Sequence, residues 1–194
     1  MMLRFALTVL LLAPTMARAD TPCPAVSHGK TVIAEFQDGS GAWISGSGEH
    51  GARIEFRDRQ GRVVAGQQTT GGAFLRVASD PSGEVTLRIE RTPDPATALP
   101  LTKTSMPEFD MIARRPGQTD FSYRQIVRVV MDGELALEQG CSYRFLLIEY
   151  HIPEYDVRTY ALNIPALRLN ASSGDTREKA LNAPRITGVK LLHH

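Results

Sequence analysis

The side chains best placed for chemistry are Glu149, His151, Glu154 and Asp156, three carboxylates and one imidazole in a single short stretch. In an extended chain Glu149 and His151 point to the same side, near enough to share a metal ion or pass a proton. Pro153 bends the chain after them and can bring Glu154 or Asp156 to the same place. A metal-dependent or acid–base site is therefore one reading of these four residues. The plainer reading is a strand running out into a solvated loop, because a metal site needs three or four converging ligands and the stretch holds one histidine. The pair His193-His194 at the C-terminus has the same shortfall.

The segment Gly46-Ser47-Gly48-Glu49-His50-Gly51 has the glycine spacing of a dinucleotide-binding loop. Such a loop must open a helix, whose free N–H groups meet the pyrophosphate, and needs an acidic residue about twenty positions on for the ribose. Here an alternating strand pattern follows, and no acidic residue stands at that distance. The glycines read as a hairpin turn. The chain has no G-x-S-x-G, H-E-x-x-H or C-x-x-C motif, and no cofactor is expected. Trp43, Tyr143, Tyr150, Tyr155 and Tyr160 supply material for an aromatic platform, but their spacing follows neither the strand nor the helix period.

The N-terminus sets the compartment. A basic start ending at Arg4, an apolar run over 5–13 and the tail Ala17-Arg18-Ala19 have the layout of a secretory signal, with cleavage expected between Ala19 and Asp20. The apolar run is too short to span a bilayer, which takes about 20 residues, and no later stretch is longer. No transmembrane anchor is expected after cleavage. The residues before Cys23 are Asp20-Thr21-Pro22, unlike the small and aliphatic residues that precede a lipid-modified cysteine. Loss of residues 1–19 removes Arg4 and Arg18 and takes the formal charge from +1 to −1. A near-neutral chain has no general attraction for nucleic acid or anionic membrane. In an oxidising compartment Cys23 and Cys141 have one possible intramolecular pairing, and a disulfide between them is expected.

The elements that would hold these residues read as mainly β. Short runs at 31–36, 42–45, 52–57, 62–65, 73–77 and 84–90 carry strand residues, several with strict alternation, between turns rich in Asp, Ser and Gly. The Pro-rich segment 92–120 breaks the rhythm. It reads as a crossover within one sandwich, with a short helical turn over 106–113, or as a linker between two small β domains. Asp132-Gly133 reads as a hairpin turn between 121–131 and 134–138. Residues 141–152 are apolar on both faces and predict a central strand. Pro165 marks 159–169 as an edge strand or a bulge, 175–181 is long enough for two helical turns ended by Pro184, and 186–192 closes the chain as a strand.

Strands of about six residues with frequent turns predict an antiparallel β-sandwich, jelly-roll or Ig-like, over 20–194, with at most one or two short helical turns. The function that fits is a periplasmic or secreted binding or accessory module without catalysis, its partner an envelope protein or a glycan. The alternatives are an enzyme built on Glu149, His151, Glu154 and Asp156, and an envelope-complex subunit or inhibitor of an exported enzyme. Oligomeric state is not legible in the sequence.

Overall fold

A computed structural model describes residues 23–182 and 185–192. The signal segment 1–19, Pro184 and His193-His194 lie outside the described residues. Twelve strands are present among the described residues: β1 (Thr31–Phe36), β2 (Gly41–Ser47), β3 (Gly51–Arg57), β4 (Val63–Thr70), β5 (Phe74–Ser79), β6 (Val85–Thr92), β7 (Glu108–Arg114), β8 (Phe121–Ala136), β9 (Ser142–Ile152), β10 (Val157–Ile164), β11 (Leu169–Gly174) and β12 (Ile186–Leu192). One short helix, α1 (Arg177–Leu181), precedes β12, and its N-cap Thr176 accepts from Lys179 N at 3.2 Å. No helix among the described residues is long and apolar enough to cross a membrane.

The strands form one antiparallel sheet in the order β11-β10-β9-β8-β7-β6-β5-β4-β3-β2-β1-β12, nearly closed into a barrel. The mainly β class is as expected, but the jelly-roll or Ig-like sandwich is not what forms. A sandwich needs strands that leave one sheet for the other through long crossovers. Here most connections are short, every strand from β1 to β11 pairs with its neighbour in sequence, and β12 returns to pair with β1.

The turn chemistry explains why. Asp38, Asp58 and Asp80 each fold a carboxylate back onto backbone N–H groups two residues on, at 3.0, 2.9 and 2.9 Å. These bonds hold the turns tight. They also help keep the three carboxyls below their usual pKa, with the largest contributions from the Ser40, Arg62 and Ser82 side chains respectively.

Within the Pro-rich segment the chain pairs again as strand β7. Residues 106–113, expected as a helical turn, enter β7, which buries Phe109 and Met111 at period two and pairs with β6 and β8. The sheet therefore continues across 92–120. Asp132-Gly133 is likewise not a turn: it lies inside β8. Gly133 sits opposite Phe145, where a Cβ would stand 2.8 Å from the ring, so its glycine serves packing. The turn comes later, where Leu137 N donates to Cys141 O at 2.9 Å and Gly140 has φ +85°.

Two cores share the sheet. The first gathers Val32, Ala34, Ile44, Ile54, Ile164, Leu167, Leu169 and Val189, and the second gathers Phe74, Phe109, Met111, Val127, Val129, Leu146 and Ile148. β9 serves both, as its apolar character on two faces predicted: Tyr143 and Phe145 face the first core, Leu146 and Ile148 the second. Between β5 and β6 the ladder covers only 77–79, and beyond it Arg91 Nη1 donates to Leu75 O. Burial lowers the pKa of that guanidinium, which lies 5.6 Å from the Phe74 ring.

The N-terminal segment from Cys23 to Lys30 straps the first core. Cys23 is bonded to Cys141, 118 positions away, as expected. Tyr143 donates its hydroxyl to Pro24 O, Val26 N donates to Ala166 O at 2.8 Å, and His28 bridges to Gly46. Gly46 has to be glycine, since a Cβ there would lie 2.2 Å from Ser27 O. A cross-link closing so long a loop restricts the unfolded chain strongly. The Cys23→Ser/Cys141→Ser variant is expected to lose roughly 2–5 kcal/mol in urea unfolding. Equal unfolding midpoints for the variant and the oxidised protein would show that the bridge constrains nothing.

Candidate functional site

Glu149 and His151 do share one face of β9, as their spacing predicts, but the neighbouring strands put other groups between them and a ligand. Arg128 on β8 and Tyr160 on β10 stand directly opposite Glu149. Arg128 Nη2 lies 3.0 Å from Glu149 Oε1 and 3.1 Å from Oε2, and Glu149 is 3% exposed. Burial pushes the Glu149 carboxyl pKa up. The hydrogen bonds from Arg128 and Tyr160 and the charges of Arg128 and Arg158 together outweigh it, so the net shift is downward.

The other members of the cluster diverge. His151 Nε2 is 3.6 Å from Asp156 Oδ1, too long for a hydrogen bond, and Arg158 Nη2 reaches the same oxygen at 3.8 Å. Glu154 turns away to accept from Arg124 N at 3.1 Å. Among the described residues no three His, Cys, Asp or Glu side chains are arranged to hold a metal ion. What forms here is an ion-pair network in which the Glu149 carboxylate is already neutralised.

The five aromatic residues do not form a platform. Trp43 lies under Arg57 at 4.6 Å, and Tyr160 under Arg177 at 5.8 Å. Tyr143 and Tyr150 donate their hydroxyls to Pro24 O and Ala73 O, and burial pushes each up to about 12. Tyr155 is exposed, stacked at 5.4 Å on Phe121, a residue that sequence reasoning did not single out.

A cleft of about 400 Å³ forms elsewhere, where several turns and two strands converge. One wall is the β2–β3 turn with Glu49 and His50, the glycine segment that reads as a hairpin. Leu99, Pro100 and Leu101 line it from the long β6–β7 loop, Arg144 and Leu146 from β9, and Asn163 from β10. Pro165, Ala166 and Arg168 complete it from the 3-10 turn Pro165–Leu167 and the corner after it.

That corner organises the cleft. Pro165 ends β10, as a strand-breaking proline should, and Arg168 turns the chain into edge strand β11 with φ +49°. Its guanidinium Nη1 donates to Gly48 O at 3.2 Å and Gly51 O at 2.6 Å, pinning the hairpin to the corner. Burial lowers the pKa of Arg168. The β4–β5 turn packs on the same corner: a Cβ on Gly72 would stand 2.1 Å from the Arg168 carbonyl carbon, and one on Gly71 would stand 2.6 Å from Leu99. Asn163, 2% exposed, directs its amide to Leu169 O at 3.3 Å and Asn170 Oδ1 at 3.0 Å. At the solvent end Arg144 lies 3.3 Å from Asp132 Oδ2, while Lys103 pairs with the other carboxylate oxygen. The Lys103 hydrogen bond is the largest of the effects that hold Asp132 below the usual carboxylate range.

Sequence reasoning missed Arg144, Leu146, Asn163 and Arg168. The one local signal was Pro165; the rest meet only through long-range packing.

The Glu149 pair carries a pH signature. A carboxyl whose folded pKa is depressed contributes stability that is full above its ordinary value of 4.5 and is lost as pH falls through the folded value. Glu149→Gln is expected to cost about 1–3 kcal/mol at neutral pH, with the gap to the parent narrowing in acid. A gap that stays constant down the acid limb in urea titrations at several pH values would refute that pairing.

No family model matches the chain, and no curated protein matches it. A solved structure, the hypothetical lipoprotein YmcC from Escherichia coli K12, is similar at 13% identity with a TM-score of 0.43, over 79% of this chain and 81% of that one.

Proposed function

We propose that this is an exported binding or accessory protein without catalysis of its own, which holds a small ligand in the cleft beside Arg168. The cleft carries the reading. Its volume of about 400 Å³ falls in the range of roughly 300–1,000 Å³ usual for small-molecule sites. Its walls are largely aliphatic and proline side chains, and Glu49, His50, Arg144, Asn163 and Arg168 are the polar groups among them. The site is preformed, because the Arg168 bonds to Gly48 and Gly51 and the close approach of Gly72 hold its walls without a ligand.

Export is supported by two independent features, the three-part segment 1–19 and the Cys23–Cys141 bridge, a bond that persists in oxidising compartments. The mass of the protein recovered from an expressing bacterium is expected to correspond to a chain beginning at Asp20. A mass retaining residues 1–19 would remove the export reading.

The cleft is tested with the neutral apolar dye N-phenyl-1-naphthylamine. The protein is expected to bind it saturably, with fluorescence enhancement. Ala166→Trp should weaken that binding about tenfold or more by filling the cleft with bulk from an exposed position. Absence of saturable binding, or equal binding by parent and variant, would remove the cleft as the site.

A further inference from the structure

We propose that the ligand of this cleft is a single-chain amphiphile with a carboxylate head group. The head is seated on Arg144, and the chain runs over Leu146 toward Leu101. This inference rests on the cleft being the binding site.

The charge arrangement points to an anion. Lys103 and Arg144 share the Asp132 carboxylate, and the exposed Glu134 stands across the ladder from Arg144 without an ion pair to it, so Arg144 is not fully engaged by either acid. Lys103 is the partner that chiefly keeps Asp132 ionised, and Arg144 adds one contact at 3.3 Å. A guanidinium has five N–H donors in a planar fork, so most of the Arg144 donors remain for a second carboxylate. Its side chain is 62% exposed and can swing without leaving Asp132 uncompensated. Glu49, which lines the cleft, is 87% exposed, and Glu134 opposite Arg144 is exposed as well, so water screens both charges.

Strand geometry supplies the direction. Arg144 and Leu146 are two residues apart on β9, so both side chains stand on the same face, about 7 Å apart. Arg144 is at the solvent end, whereas Leu146 and Leu101 are 3% and 4% exposed. A ligand lying along this face meets a cation first and aliphatic surface next. That order matches a carboxylate followed by a hydrocarbon chain, whose transfer out of water is favourable. A sugar, with hydroxyls on every side, would leave most of them facing Leu99, Leu101 and Leu146 without partners.

The test compares two competitors of equal chain length against bound N-phenyl-1-naphthylamine: dodecanoate and dodecanol, both below their aggregation limits. The parent protein is expected to prefer dodecanoate by roughly tenfold, the worth of one charge-assisted contact. Arg144→Gln, at an exposed position that folding does not depend on, should bring the ratio close to one. If the dye binds but the two competitors displace it equally, or if Arg144→Gln keeps the preference, the carboxylate assignment is overturned while the cleft stands. If the dye does not bind at all, the cleft reading falls and this inference with it. Co-sedimentation with phosphatidylglycerol vesicles, without uptake of dodecanoate, would overturn it in favour of a membrane surface.

Discussion

One inserted residue in β8 governs much of this molecule. Val129 pairs with Ile148 and Met131 with Leu147, so Val130 is the extra residue of a bulge. Side chains alternate strictly along a strand, and a single insertion exchanges the faces of everything beyond it. Val127 and Val129 therefore pack into the second core, while Leu135, still an odd-numbered residue, packs against the first. A sixteen-residue strand can thus serve two cores without breaking its pairing to β9. Without the insertion, either Leu135 or Val127 would point away from apolar partners.

The same constraint places the cleft. Because β9 is apolar on both faces, the face carrying Leu146 and Ile148 must be covered by something other than the first core. The long β6–β7 loop covers part of it with Leu99 and Leu101, and the remainder is left as the hollow beside Arg144. Two backbone approaches too close for any side chain, at Gly46 and Gly72, and the Leu99 side chain packed on Gly71 draw the strap, the loop and the Arg168 corner together. Arg168 then substitutes two charge-assisted hydrogen bonds for contacts that a glycine-rich hairpin cannot make through side chains of its own. These contacts hold the walls of the cleft together without a ligand.

On β8, β9 and β10 the candidate residues around Glu149 are drawn into separate contacts. Glu149 lies under a half-exposed Arg128 and accepts hydrogen bonds from Arg128 and Tyr160. A carboxylate in that state is held ionised, which suits anchoring of three strands more than proton transfer. His151 and Asp156 sit near one another at the rim without closing a hydrogen bond, and Glu154 caps the backbone of β8.

Much of this was readable along the chain. Period-two alternation in 31–36 and 52–57, the turns at Asp38, Asp58 and Asp80, and the two-faced apolar run that becomes β9 all depend on neighbouring residues, and each stands where local pattern puts it. The pairing of Cys23 with Cys141 followed from there being two cysteines. Local pattern failed where a residue type has more than one use. Gly133 resembles a turn glycine but makes room for Phe145, and 106–113 resembles a helical turn but fills the gap between β6 and β8. By itself the sequence determined most of the strands, the turns at Asp38, Asp58 and Asp80, and the disulfide. The tertiary structure alone decided that they form one coiled sheet, and that Arg144, Leu146, Leu101 and Arg168 meet around a cleft. The reason is physical: alternation specifies which side of a strand is buried, whereas pairing order, bulge position and backbone approach specify what it is buried against.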